Sequence, residues 1–232
     1  QQQQLSPPKS GEMVGGLPCF VTVLVCLASL GDAFVPPKDA ATTVEQIGLN
    51  YDASVSKMVV TFASFGTSET TAECWYGTSP DNLTETVSAT GQTYTLKDYT
   101  SPMLFKATLD GLESGNKVYY YTVGSEALGY SKVTPFKSHP GVGTEGVTFH
   151  VYGDIGQTNN SLNTFLEVVE NEEGLTGPSG GIVSMGDLSY ANGDEPRWDT
   201  FGQMRQVATD HIPMLTTLGN HEWFDDQAKQ FT

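Results

Sequence analysis

Three short motifs of one kind recur along the second half of the sequence, each a glycine followed by Asp or Asn. They are Gly153-Asp154, Gly186-Asp187 and Gly219-Asn220, and consecutive motifs are 33 residues apart (187 − 154 and 220 − 187). A strand–helix–strand unit takes about 30 residues or more, and parallel strands present their carboxyl ends at one edge of a sheet. The spacing therefore predicts that the three oxygen-bearing side chains converge at such an edge.

Metal binding is the chemistry that this convergence favours. Carboxylates gathered without Lys or Arg repel one another unless cations offset their charge. Two ions about 3.5–4 Å apart form a clamp for phosphoryl displacement, and a carboxylate can bridge them with its two oxygens. We expect Asp187 to bridge, Asp154 to serve one ion and Asn220 the other. A turn or helix-cap role is the alternative for Asp154.

The elements that must position these side chains alternate between strand and helix. Apolar runs at 147–152, 181–185 and 212–218 end at the three motifs and predict strands. Residues 198–205 suggest a helix before the third strand. Between the first two strands, the apolar residues recur at helical spacing, at Leu162, Phe165, Leu166 and Val169. This order indicates α/β layering.

The first half, residues 34–140, has a different pattern and is predicted to form a β-sandwich. Runs at 59–62, 73–76 and 118–123 are rich in β-branched and aromatic residues and are separated by turn clusters. Residues 109–121, with their three consecutive tyrosines, resemble the tyrosine corner of fibronectin type III-like domains. A linker at 139–143 leads into the second half, residues 141–232.

The motifs taken together resemble a known family. Residues 153–156, 186–190 and 219–222 look like the first three metallophosphoesterase blocks, in order. Tyr190, three residues after Asp187, and Arg197-Trp198-Asp199 resemble the purple acid phosphatases. The resemblance implies an α+β multidomain fold, with a fibronectin III-like β-sandwich followed by a truncated α/β metallophosphoesterase domain.

The resemblance also implies a set of site residues and a cofactor. The implied metal ligands are Asp154, Asp187, Tyr190 and Asn220. Tyr190 binds Fe(III) as a phenolate, since a hard trivalent cation removes the proton of a phenol. The second ion is Zn, Mn or Fe(II). His221 is the implied catalytic residue, which faces the substrate and assists the leaving alkoxide. Glu222 is expected to be a hydrogen-bond partner rather than a ligand.

Histidine ligands are the part of the family pattern that is not found here. The family pattern includes two later motifs, Val-x-x-His and Gly-His-x-His, and neither occurs in these 232 residues. His139 lies in the linker and is expected to be solvated, His150 to be a core or sheet-face residue, and His211 to be structural. Asp194 and Glu195 are expected to be solvated loop charges. Residues 1–232 by themselves are therefore expected to be inactive.

Composition narrows the classes of partner. Lys and Arg number 11 against 27 Asp and Glu, so the formal net charge is −16. We therefore do not expect this protein to bind nucleic acid, because such binding needs clustered Lys and Arg. A small phosphate ester is the expected partner, and a homodimer is one assembly that the sequence leaves open.

The first 33 residues predict a leader and signal peptide. The apolar run at 19–30 has 12 residues, which fits a signal peptide and is too short for a membrane span of about 20. A buried core helix is the alternative. With the sequons at Asn82 and Asn159, this predicts a secreted, or vacuolar or lysosomal, glycoprotein without a stable membrane span after cleavage. Cys74 would then be a single, buried thiol.

An acid phosphatase is the function that these features favour. It would hydrolyse phosphomonoesters at a two-metal centre, by attack of a metal-bound hydroxide. Two alternatives stay open. One is a phosphodiesterase or nucleotide pyrophosphatase of the same superfamily, and the other is a non-catalytic secreted binding module.

Overall fold

The computed structural model describes residues 21–23 and 44–222, and this part of the chain is rich in strands and has two α-helices. The strands are β1 (Val21–Val23), β2 (Glu45–Tyr51), β3 (Met58–Ser64), β4 (Thr71–Gly77), β5 (Glu85–Gln92), β6 (Thr95–Leu96), β7 (Tyr99–Thr100), β8 (Met103–Leu109), β9 (Val118–Ser125), β10 (Gly129–Tyr130), β11 (Thr134–Lys137), β12 (Thr148–Tyr152), β13 (Ser179–Ser184) and β14 (Met214–Thr216). The helices are α1 (Asn159–Glu173), α2 (Pro196–Thr209) and a short 3-10 helix (Asn220–Glu222).

Strands β2 to β11, apart from the small β6–β7 hairpin, form one antiparallel sheet in the order β10-β9-β4-β5-β8-β3-β2, with β11 also paired to β9. Strand β5 pairs with β4 along most of its length and with β8 over residues 90–92, so the sheet continues round a shared core. Within that core the paired Phe62 and Phe105 stack at 4.9 Å. The three runs predicted as strands lie in β3, β4 and β9, which confirms them.

Tyrosine hydroxyls fasten the corners of this sheet to the backbone. The Tyr119 hydroxyl accepts from the Glu113 N–H at 3.0 Å, six residues upstream, and the Tyr76 hydroxyl donates to the Asp110 carbonyl at 3.0 Å. Cys74 lies in the core with no exposed surface, as predicted, and burial raises the pKa of its thiol.

A second sheet of parallel strands has the order β1-β12-β13-β14. Helix α1 connects β12 to β13 and helix α2 connects β13 to β14, so the predicted alternation of strand and helix is confirmed. The strand Val21–Val23 lies within the apolar run at 19–30, and the rest of that run lies outside the described residues. Among the described residues, no helix has the length and apolar character needed to cross a membrane.

Helix α1 buries the predicted apolar face in part. Phe165 is buried, and Leu162 and Val169 are partly buried against the same core. Leu166, which was assigned to the apolar face, is 49% exposed, and Val168 is buried instead. The first turn accounts for this difference. Thr158 caps the helix by accepting from the Ser161 N–H at 3.2 Å, and the buried Ser161 hydroxyl donates to the Ile155 carbonyl at 2.6 Å. These polar contacts turn the face that carries Ser161 inward.

Helix α2 joins the two sheets by packing along β2. The Ile47 N–H donates to Gln206 Oε1 at 3.0 Å, and the Thr209 hydroxyl donates to the Ile47 carbonyl at 3.0 Å. Side chains of the helix therefore satisfy backbone groups of the strand. Asp199 extends the junction, because it accepts from the Tyr99 hydroxyl at 2.8 Å and from Gln46 Nε2 at 3.4 Å.

A buried carboxylate at the end of α1 forms a second junction. Glu172 accepts from Lys137 Nζ at 2.7 Å, from the Ser179 hydroxyl at 2.7 Å and from His150 Nε2 at 3.0 Å. These partners belong to β11, β13 and β12, so both sheets meet at one side chain. His150 is thus a buried structural residue, as expected. Burial alone would raise the pKa of Glu172, but the three hydrogen bonds lower it overall.

Two expectations about polar residues are wrong. His139 is not solvated, because it is half-buried against Tyr51 with ring centroids 4.9 Å apart, and its Nδ1 accepts from the Gly141 N–H. Glu195, interpreted from the sequence as a solvated loop charge, is buried and accepts from the Tyr94 hydroxyl at 3.1 Å. Each belongs to a contact between segments that are distant in sequence, which no local pattern records.

Candidate metal centre

The three glycine-containing motifs meet at the carboxyl edge of the parallel sheet. The Asp154 N–H donates to the Gly186 carbonyl at 3.2 Å, which joins the first loop to the second. A Cβ added at Gly186 would lie 2.6 Å from the backbone nitrogen of Gly219, so the second and third loops are in direct contact. The structure thus brings the loops that carry Asp154, Asp187 and Asn220 together.

Strained backbone is concentrated in these loops. Asp154 (φ +54°), Asp187 (φ +50°), Tyr190 (φ +52°) and Asn192 (φ +53°) all adopt the left-handed conformation. That conformation is uncommon for residues other than glycine, and an outlier for a bulky residue such as Tyr190. Each instance costs about 1–3 kcal/mol, and such residues cluster where side chains must be held for function.

Tyr190 is held between Asp154 and His221. Its hydroxyl donates to Asp154 Oδ1 at 2.9 Å, and its ring lies 4.3 Å from the His221 ring at 44°. Burial, followed by the hydrogen bond to Asp154 and the nearby carboxylates, raises the pKa of the Tyr190 phenol. Without metal the phenol therefore keeps its proton and donates a hydrogen bond to Asp154.

Asp187 is the buried carboxylate of the group. It is 8% exposed, and its Oδ1 accepts from the His221 N–H at 2.9 Å. Gly219 packs directly against it, because a Cβ there would collide with Asp187 Oδ1 and with its backbone nitrogen. Asn220 is exposed and begins the short 3-10 helix.

Glu222 joins the second and third loops through their backbone. Its side chain is buried, with Oε2 accepting from the N–H groups of Asp187 and Gly219, both at 2.8 Å. Its Oε1 accepts from the Leu188 N–H at 2.9 Å. Glu222 is therefore a hydrogen-bond partner, as expected from the sequence.

Asn192 is a site residue that sequence reasoning missed. Its Oδ1 lies 2.7 Å from His221 Nδ1, so the ring donates from Nδ1 to the amide oxygen and its orientation is set. The available signal was the pair Asn192-Gly193, a turn sequence directly after the Tyr190 motif.

Hard oxygen donors make up the candidate centre. Within the described part of the chain, neither Asp154 nor Asp187 takes part in an ion pair with Lys, Arg or His. The same residues contain no group of three or more His, Cys, Asp or Glu side chains placed to hold a metal ion. The candidate set is of another kind: two carboxylates, a phenol and an amide. Uncompensated carboxylates beside a phenol fit a trivalent or divalent cation.

Comparisons with known proteins show which proteins the chain resembles. Residues 44–138 match the family described as "Purple acid Phosphatase, N-terminal domain". The chain is 37% identical over 169 residues to "Phosphoenolpyruvate phosphatase" of Allium cepa, which covers 70% of this chain and 32% of that protein. It is 36% identical over 140 residues to "Fe(3+)-Zn(2+) purple acid phosphatase 12" of Arabidopsis thaliana, covering 58% and 28%.

A solved structure shares the fold. The purple acid phosphatase PPD1 from yellow lupin (Lupinus luteus) seeds superposes with a TM-score of 0.63 at 21% identity, over 78% of this chain and 36% of that one. The chain spans about a third of the length of the curated relatives that it matches. The chain therefore belongs to the purple acid phosphatase family, and it corresponds to the N-terminal portion of the relatives that it matches.

Proposed function

We propose that this chain is the N-terminal part of an acid phosphatase that hydrolyses phosphomonoesters at a two-metal centre. The observation that supports this most directly is the contact between Tyr190 and Asp154, 2.9 Å apart at the sheet edge where Asp187 and Asn220 also lie. A phenol beside a carboxylate is a donor pair suited to Fe(III). Relatives named as phosphatases, one of them an Fe(3+)-Zn(2+) enzyme, support the same reading.

In this proposal each residue has one task. Asp154 and Tyr190 would hold Fe(III), Asn220 would hold the divalent ion (Zn, Mn or Fe), and Asp187 would serve both ions. When bound, the ions would neutralise the phosphate oxygens and lower the pKa of a water molecule. His221, oriented by Asn192, donates a hydrogen bond or proton to the leaving alkoxide.

The same proposal extends to the fold of the protein and to its path through the cell. The predicted domain of residues 34–140 is a fibronectin III-like β-sandwich, which the shared core and the Tyr119–Glu113 corner in its described part, residues 44–140, support. Residues 141–232 are the N-terminal part of a metallophosphoesterase domain. The apolar run at 19–30 and the exposed sequon residue Asn82 support a secretory route, to the exterior or to a vacuole or lysosome.

Metal content and hydrolysis in the full-length gene product test the function. We expect the purified protein to hold two ions and to hydrolyse p-nitrophenyl phosphate at acidic pH faster than bis-p-nitrophenyl phosphate. Asp187→Ala should lose metal and at least about a hundredfold in kcat/KM, since the bridging ligand is gone. A matched control is Glu172→Gln, which alters a buried carboxylate of helix α1, whose contacts are the structural ones to β11, β12 and β13.

Three results bear on the reading in different ways. Full activity in Asp187→Ala, or a metal-free wild-type protein, would refute it. A higher rate on the diester would favour a phosphodiesterase of the same superfamily. Residues 1–232 expressed by themselves are expected to show little or no turnover, because the histidine motifs of the family do not occur in them.

A further inference from the structure

The carboxylate of Glu222 is the most completely engaged acidic group at the candidate centre. Its residue is 1% exposed, and three backbone N–H groups donate to its two oxygens over 2.8–2.9 Å. An ionised carboxylate only accepts hydrogen bonds, and its two oxygens can satisfy about four donors. Hydrogen bonds between a charged acceptor and backbone N–H groups are among the stronger ones in proteins.

The three donors belong to two different loops. Asp187 and Leu188 follow β13, and their successive N–H groups converge on one anion, as in the backbone nests that bind anions. Gly219 follows β14, and Glu222 itself lies in the 3-10 helix three residues later. The side chain therefore spans from the loop of Asn220 back to the loop of Asp187.

Asp187 needs such a partner because its backbone is strained. It adopts φ +50°, a conformation that persists only where surrounding contacts hold it. Its own N–H is one of the three donors, and its Oδ1 accepts from the His221 N–H at 2.9 Å. Glu222 and His221 thus hold the backbone and the side chain of Asp187 from the same short helix.

We propose that Glu222 is a positioning residue whose carboxylate fixes Asp187 and the Asn220 loop in the arrangement that two metal ions require. This inference rests on the proposed function for its metal-binding part. The carboxylate is essential because glutamine would replace an accepting oxygen with a donating NH2 group. At least one of the three N–H groups would then face another donor inside a buried site and would lose its hydrogen bond.

The experiment uses the full-length protein and the variant Glu222→Gln, with Glu172→Gln as the control. Hydrogen exchange, resolved to short peptides by mass spectrometry, is measured first on metal-free protein. We expect Glu222→Gln to lose protection at the N–H groups of Asp187, Leu188 and Gly219. Glu172→Gln changes the same chemical group in a different buried network, at the end of helix α1, and it should leave these three amides protected.

Metal retention is measured next, by dialysis against a chelator. Glu222→Gln should lose metal at about a 10–100-fold lower chelator concentration than wild type, the range found for hydrogen-bonding partners of metal ligands. Glu172→Gln should retain metal as wild type does. Glu222→Asp, which keeps the charge but shortens the side chain, should fall between the two and serves if Glu222→Gln does not fold.

The outcomes separate this inference from the proposed function. The inference would be overturned if Glu222→Gln kept both wild-type protection at the three amides and wild-type metal retention. Where only Glu222→Asp folds, the same result in that variant would overturn it. Protection lost in Glu222→Gln but not in Glu172→Gln supports the anchor, even if the wild-type protein proves to lack phosphatase activity. In that case only the proposed function fails.

Discussion

Asp187 is the residue at which most contacts of the candidate centre meet. Its backbone N–H is held by Glu222 and its Oδ1 by the His221 N–H, and Gly219 packs against its Oδ1 and its backbone nitrogen. A bridging ligand must present both oxygens at fixed positions, and these contacts remove the freedom of the loop before any ion binds. Tyr190 is held in a similar way, by Asp154 on one side and the His221 ring on the other.

Tyr190→Phe is the substitution that tests the role of the phenol oxygen. It removes the donor to Asp154 while keeping a ring that can pack against His221. In the full-length protein we expect the visible absorption band of an Fe(III)–phenolate pair to disappear and activity to fall at least about tenfold. Absorption and kinetics are measured on one sample. Tyr94→Phe, which alters a hydroxyl bonded to Glu195, should keep the band. A persisting band in Tyr190→Phe would contradict the assignment.

At the scale of elements, the parallel strands bring the three glycine-containing motifs together because the loops that follow the strands approach one another closely. Gly219 is the tightest point, since even a methyl group there would collide with the side chain and backbone of Asp187. The same region begins the 3-10 helix that carries Asn220, His221 and Glu222. A displacement of this loop therefore moves a proposed ligand, the proposed acid and the proposed anchor together.

Gly219→Ala is accordingly expected to impair the centre without unfolding the protein. Metal content of the full-length protein should fall severalfold, because the loop must shift to relieve the collision with Asp187. Gly174→Ala is the matched control: Gly174 caps α1 at φ −79°, and an added Cβ meets only ordinary contacts at 3.6 Å. Metal analysis and thermal unfolding of both variants check this. Equal metal content in the two would show that the loops tolerate displacement.

Helix α1 carries a pH-dependent contact at its end. Hydrogen bonds from His150, Lys137 and Ser179 outweigh burial and lower the pKa of Glu172 from its ordinary value of 4.5. A carboxyl group with a lowered folded-state pKa contributes stability above the unfolded value, and loses it as the pH falls through the folded value. Wild type should therefore be more stable than Glu172→Gln at neutral pH, and the difference should shrink below about pH 4.5. Denaturant unfolding at several pH values measures it, and a constant difference would be inconsistent.

The elements of the fold were largely predictable from the sequence, and their contacts were not. β-Branched runs and the 33-residue spacing predicted β3, β4, β9 and the parallel strands. The predicted buried face of α1 was right for Phe165 and wrong for Leu166, because apolar spacing does not reveal that Ser161 bonds inward to Ile155. Asn192 and Glu195 were missed for a related reason. Polar residues in loops look solvated in a sequence, and the contacts of these two are made with segments tens of residues away.

At the scale of the whole molecule, the two sheets are joined by polar contacts as well as by apolar packing. Thr209 donates to the Ile47 carbonyl and accepts from Arg205 at 3.0 Å, and Glu172 links β11 to β12 and β13. Side chains of the parallel-sheet region thus complete hydrogen bonds of the antiparallel one. We therefore expect the antiparallel sheet to support the candidate centre rather than to behave as a separate module.

Thr209→Val tests this dependence. The variant keeps the shape of the side chain but leaves the Ile47 carbonyl and Arg205 without their partner, which costs about 1–3 kcal/mol. We expect wild-type protein to unfold in one calorimetric transition and Thr209→Val to unfold at lower temperature, with both sheets still melting together. Thr95→Val, in the β6–β7 hairpin where the exposed Thr95 hydroxyl bonds that of Thr100, is the control and should change little. Two separate transitions in wild type would show independent units.

The contact between Asn192 and His221 has a consequence for the protein over time. Asn192 is exposed and is followed by Gly193, which lacks a side chain that would hinder attack of its backbone nitrogen on the Asn192 amide. Such pairs are where asparagine is chemically least durable, releasing ammonia and leaving aspartate or its isomer. In stored or heated protein, ageing would therefore place a new negative charge 2.7 Å from the ring that the proposed reaction uses. Old and fresh preparations of one gene product would differ at the centre itself.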